Sequence, residues 1–341
     1  MDNGGIQKPV GGGGVKGHKI FDEIISLENL LAAWKEFKKG KERKADVQEF
    51  SLNLEDNIFS LRDALKSGAY RHSHYISFFV RDPKLRHIHK ATVRDRVLHH
   101  AIVKIIEPIF ERLFIFDSYS SRKNKGMHQA ITRFRKFAWK LSQNNTKTVW
   151  VLKCDIRKFF DSVDQETLIW LIRRKVEDGD SVNLIKEIIH SFKIEIGKGI
   201  PLGNVTSQLF SNIYLNELDQ FVKRELRIKY YIRYADDFVI LSGDINFLEV
   251  VLRQIEVFLK EELNLKFHAD KISIGKWHKG IDFLGYVVFP HHILLRTKTK
   301  RRMFKRATEK NLSSYLGVLK HCRSYKLKSL LVKQCETAGD D

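Results

Sequence analysis

Two adjacent aspartates, Asp236 and Asp237, interrupt an otherwise apolar and aromatic run, with Tyr230, Tyr231 and Ile232 before them and Phe238, Val239 and Ile240 after. Residues of this kind form strands, and so short a polar break between two of them predicts a tight hairpin. Two like charges at the tip of an apolar hairpin repel each other unless a cation neutralises them. A third carboxylate, Asp155, ends another apolar run, Val149-Trp150-Val151-Leu152. If that strand and the hairpin are neighbours in one antiparallel sheet, the three carboxylates converge at one edge. Such a set suits two Mg²⁺ ions, with Mn²⁺ as a substitute. An Asp-Asp turn and a strand-terminal Asp are each common alone; their combination in this order favours the site.

Composition says what such a site would act on. The 341 residues are 43% hydrophobic and 11% aromatic, enough for two or three units with a sizeable core. Lysine and arginine number 61 against 41 acids, a net charge of +20 that points to a polyanionic partner. A membrane surface also fits that charge, but no apolar run approaches the roughly 18 to 20 residues of a spanning helix. The first 20 residues are glycine-rich and polar, unlike a signal peptide. Cys154, Cys322 and Cys335 are scattered, with neither zinc nor disulfide spacing, so a reducing cytoplasm is the expected setting. The pairs His72/His74 and His87/His89 read as solvated or nucleic-acid-facing histidines, since no cysteine or acid stands at ligand spacing.

Residues 1–19 and 334–341 are expected to be disordered. Between them, a helical pattern places Phe21, Ile24, Ile25, Leu31, Trp34 and Phe37 near one face, and a second does so for Val97, Leu98, Ala101, Ile102, Ile105 and Ile109. The intervening stretch around Asp82-Pro83 predicts a basic hairpin. Helices are expected over 164–176, 181–192 and 206–224. Residues 296–333 hold 13 Lys or Arg and one acid, Glu309, yet Leu312, Tyr315, Leu316 and Leu319 keep helical spacing.

Tyr234-Ala235-Asp236-Asp237 resembles the YxDD signature of reverse transcriptases, and residues 153–163 (KCDIRKFFDSV) resemble that family's motif A. Val93-Arg94-Asp95-Arg96-Val97, then Ser118–Arg122 with Lys125–Ala130, resemble its fingers segments. Phe283-Leu284-Gly285-Tyr286 is similar to the primer grip and Ser314-Tyr315-Leu316-Gly317 to a thumb segment. The resemblance implies an α+β right-hand polymerase: fingers with the first palm contributions over 20–145, a palm with an antiparallel sheet over 146–292, and a basic helical thumb over 293–333. It implies RNA-templated DNA synthesis from dNTPs on a primer strand. Asp155, Asp236 and Asp237 would hold the metals together with Ile156, and Lys271 would protonate the leaving pyrophosphate. Phe160 would be the gate that excludes a 2′-hydroxyl, with Phe159 in the core. Arg81, Lys84 and Arg86 would neutralise the triphosphate.

The subgroup is suggested by residues 200–208. Group II-intron-like enzymes carry glutamine, glycine, three variable residues, serine and proline there; this chain has Leu202 for the glutamine and Gln208 for the proline, around Gly203. That pattern, and Arg122–His128, resemble diversity-generating retroelement enzymes, which copy a template-repeat RNA with errors concentrated at adenines. Leu202, Gly203 and Gln208 then belong to the dNTP and template pocket. The same resemblance implies a small basic, oligomeric accessory protein, and insertion that depends on other factors because no nuclease segment follows the thumb. The alternatives are an antiphage-defence, retron or group II-intron-like reverse transcriptase and, from another class, a catalytically silent RNA-binding scaffold. A scaffold has no need of three clustered carboxylates.

Overall fold

The computed structural model describes residues 20–81 and 85–337; the expected disordered segment 1–19, Lys84 and residues 338–341 lie outside them. The described strands form three antiparallel sheets. β1 (Ile76–Arg81) and β2 (Leu85–Lys90) make a two-stranded hairpin. β3 (Trp150–Asp155), β4 (Tyr231–Tyr234), β5 (Asp237–Ser242) and β6 (Ser273–Lys276) make a sheet of order β4-β5-β3-β6. β7 (Ile281–Phe283), β8 (Tyr286–Val288) and β9 (Ile293–Leu295) make the third.

The four-stranded sheet is apolar on both faces because both are covered. Strand side chains alternate between faces, and the two sets enter different cores. Leu152, Cys154, Tyr231, Phe238 and Ile240 pack with the N-terminal helices and with helices Gln165–Arg173, Gly179–His190, Val205–Gln220 and Ile245–Leu263. Val151, Ile232, Val239 and Leu241 pack instead against helix Met127–Leu141, the three-stranded sheet and the C-terminal helices Thr297–Arg306, Glu309–Leu319 and Tyr325–Thr337.

Three expectations change. The first helical pattern is split where the Ser26 side chain accepts the Asn29 N–H and caps helix Leu27–Lys38. That restart turns Leu31 outward and buries the stripe Leu30, Ala33, Trp34 and Phe37. The helix expected over 206–224 ends as regular α-helix at Gln220 and continues as one π-helical turn, Phe221–Glu225. The tail is helical through Thr337, not disordered from 334, because buried Cys335 extends the apolar side that Leu331 begins.

Candidate active site

The register of β3 on β5 sets Asp155 directly across from Asp237, so the two carboxylates share one face at the end of the sheet. Asp236 lies beside them in the two-residue turn from Tyr234 to Asp237, and its carbonyl accepts the Ile156 N–H at 3.3 Å. The Ile156 side chain is a buried hydrocarbon with no donor atom, so only its backbone oxygen could serve a metal. Asp155 is 6% exposed. Burial, and then the charges of Asp155 and Asp236, push the Asp237 carboxyl up to about 7. Crowded acid oxygens of this kind fit a divalent cation, which removes the repulsion. Among the described residues no three such side chains are gathered closely enough to hold a metal by themselves, and Asp155 Oδ1 is taken by the ammonium of Lys271. Lys271 is therefore at the site, but its positive charge faces a carboxylate.

Phe159 and Phe160 differ in burial. Phe159 is 3% exposed in the core and Phe160 is half-buried, its ring edge-on to Phe159 at 5.5 Å. The Phe160 carbonyl accepts the Ile200 N–H, fastening this stretch to the segment before Leu202. The Leu202 carbonyl in turn accepts the His89 N–H of β2 at 3.1 Å. Gly203 has φ +116°, and a Cβ there would lie 3.0 Å from Ile88 Cγ2, so glycine is needed both for conformation and for the approach of the hairpin. Gln208 is exposed and lines a recess of about 480 Å³ with His100, Lys104, Arg122 and Lys123; neither Leu202 nor Phe160 borders that recess.

The basic hairpin does not present its arginines together. Arg81 pairs with Leu85 and Arg86 with Val80, so the pleat puts the two guanidiniums on opposite faces. Arg86 shares its face with Ile88, the residue that meets Gly203. Arg81 shares the other with Phe79 and His87, whose rings stack at 4.5 Å. The pair expected to act on one phosphate group is thus divided.

The sequence reading missed a buried network behind the turn. Arg233 and Asp219 are both fully buried and form an ion pair at 2.7 Å. The available signal was a lone arginine in the apolar strand Tyr231–Tyr234, since a charge in an apolar run must have a buried partner.

A family model described as reverse transcriptase (RNA-dependent DNA polymerase) matches residues 81–288. The chain belongs to the reverse transcriptases. It is 30% identical over 281 residues to Protein YkfC of Escherichia coli (strain K12), covering 70% of this chain and 71% of that one. It is 24% identical over 335 residues to the group II intron-encoded protein LtrA of Lactococcus lactis subsp. cremoris, covering 77% of this chain and 54%, about half, of that protein. Among solved structures, the telomerase of Candida albicans in complex with a TWJ fragment of telomeric RNA matches with TM-score 0.52 and 13% identity, over 74% of this chain and 51% of that one. Apo telomerase from Candida tropicalis matches at 0.52 and 12%, over 72% and 51%. These structures share the fold, the mixed helical and antiparallel right-hand arrangement of a reverse transcriptase. The carboxylates lie on its central sheet, and the family's activity is RNA-directed DNA synthesis.

Proposed function

We propose that this reverse transcriptase copies a template RNA into cDNA by a two-metal mechanism, with Asp155, Asp236 and Asp237 as the carboxylates that hold Mg²⁺ or Mn²⁺. The observation that carries the reading is the register of Asp155 against Asp237 at the end of a sheet buried on both faces. The Ile156 carbonyl adjoins the set. Bound metal supplies an activated 3′-hydroxyl and charge neutralisation at the leaving pyrophosphate. The residues do the positioning: Phe160 stands below the sugar, Arg86 meets the triphosphate, and the basic C-terminal helices hold the backbone of the template and primer strands. Lys271, beside Asp155, would be the acid that protonates the leaving pyrophosphate.

Within the family, we assign the chain to diversity-generating retroelements, working with a small basic accessory protein. Leu202 in place of an amide supports this, because an aliphatic side chain offers no hydrogen bond to an incoming base pair. A loss of 1.4 kcal/mol in discrimination is about tenfold in selectivity. The test is to sequence cDNA made from the native template RNA, with the accessory protein, by wild type and by Leu202→Gln. Errors concentrated at adenines and reduced by the substitution are expected. Uniform fidelity at adenine in the wild type removes this subgroup and favours a defence, retron or group II-intron-like enzyme.

A further inference from the structure

Arg233 sits within β4 with no exposed surface. A guanidinium stays charged in a protein, so its burial demands a full set of acceptors. Nε and Nη2 donate to Asp219 Oδ1 and Oδ2 at 2.8 and 2.7 Å, and the Tyr231 hydroxyl donates to the same Oδ1 at 2.7 Å. The third arm points elsewhere. Nη1 donates to Asn212 Oδ1 at 3.2 Å and to the backbone carbonyl of Ala235 at 3.1 Å. Asp219 and Asn212 both belong to helix Val205–Gln220, so one side chain ties the turn that bears Asp236 and Asp237 to that helix.

The carbonyl it grips belongs to the peptide joining Ala235 to Asp236. Ala235 has φ +53°, a conformation that a residue with a Cβ keeps only where its surroundings impose it. The main chain of Arg233 is also fixed, its N–H donating to the Asp117 carbonyl at 3.0 Å and its carbonyl accepting the Tyr119 N–H at 2.9 Å. Asn212 Nδ2 donates to the Ser120 carbonyl at 2.9 Å, which closes the network on the same segment. On the opposite side the turn is held by the Ile156 N–H. A buried ion pair is a weak source of stability. A network that ends on the turn's own strained peptide acts on geometry.

We infer that Arg233 is a positioning residue, which fixes the Ala235–Asp236 peptide and so aims the turn's two carboxylates at a divalent cation. The inference rests on the metal-holding role of those carboxylates proposed above.

Two variants test it. Tyr231→Phe/Asp219→Leu/Arg233→Met removes both charges and the hydroxyl that would lose its acceptor, leaving no unpaired buried charge. Arg233→Lys keeps the ion pair but lacks a second arm for Ala235, and carries the test whether or not the triple variant folds. Mn²⁺ binding is read from the electron paramagnetic resonance signal of the free ion, beside melting temperature, the metal concentration that half-activates primer extension, and KM for dNTP. Groups that orient metal ligands contribute about 10- to 100-fold to metal affinity. The expected result is a loss of that size in Mn²⁺ affinity, an equal rise in the half-activating metal concentration, and little change in KM at saturating metal. Wild-type Mn²⁺ affinity in either folded variant overturns the inference. Asp236→Asn, measured in parallel, separates the two failures. If it loses Mn²⁺ binding and the Arg233 variants do not, the positioning role alone fails; if it keeps Mn²⁺ binding, the metal site fails with it.

Discussion

The apolar hairpin β4–β5 and the basic hairpin β1–β2 are held in opposite ways. β4–β5 is flanked by β3, covered on both faces, and bonded at its turn by Arg233 from one side and Ile156 from the other. β1–β2 pairs only with itself, and Ile76, Phe78, Phe79 and Leu85 are exposed. Among the described residues its ties to the body include the two backbone groups of His89, bonded to Leu202 and Asn204, the His89 ring against Phe192, the ion pair of Lys90 with Asp46 at 2.6 Å, and Arg306, which donates to the Arg81 carbonyl. Carboxylates that repel one another keep a useful geometry only if the backbone under them is fixed. A basic arm that meets an incoming phosphate must admit and release it, and such elements are drawn from the less stable parts of a fold.

The largest effect should come from the fixed hairpin. Asp237→Asn removes an oxygen donor from the metal set, so primer extension should fall by more than about 100-fold, beyond the loss expected when only an orienting group is removed. The melting temperature should not fall, because the substitution also removes a buried carboxylate crowded by two others. A variant that melts well below wild type would mean that the carboxylate supports the fold rather than the chemistry.

The open hairpin predicts a smaller and unequal pair of effects. A hydrogen bond to a charged group contributes about 1.5–3 kcal/mol, so Arg86→Ala should raise KM for dNTP about tenfold or more. Arg81→Ala, on the other face, should change it less than about twofold, as an exposed charge does. Steady-state kinetics on one RNA template would check both. Equal effects would show that the tip twists enough to defeat the pleat.

An effect on stability alone, with none expected on turnover, concerns the root of the open hairpin, where His72 stacks on His99 at 5.2 Å. His99 is wholly buried, and burial, then the neighbouring His72, lowers its pKa to about 3. The unfolded chain takes up that proton near pH 6.5, the native protein only near pH 3, so between them the unfolded state binds more protons. Stability should therefore fall as pH drops through that window, by up to about 1.4 kcal/mol per unit for this one group. Denaturant melts of wild type and His99→Gln should show a shallower pH slope in the variant; parallel slopes would contradict the assignment.

The sequence made the palm strands and the convergence of Asp155 with the Asp236-Asp237 turn legible, because apolar runs and an isolated acidic turn are local signals. What it hid depends on tertiary partners. Arg81 and Arg86 look equivalent until the register assigns them to faces. Leu31 looks like core until Ser26 restarts the helix. The partnership of Arg233 with Asp219 joins positions 14 residues apart across a helix and a strand. Lys271 could be read as an acid for pyrophosphate, yet its contact with Asp155 spans 116 positions.

The most direct test is crystallographic: the protein with an RNA template, a DNA primer, a non-hydrolysable dNTP analogue and Mn²⁺, with data collected at the manganese absorption edge. Two anomalous peaks about 3.5–4 Å apart are expected, bounded by Asp155, Asp236 and Asp237, with Lys271 displaced from Asp155. Manganese bound elsewhere, or Lys271 still on Asp155 with no peak beside it, would contradict the two-metal site.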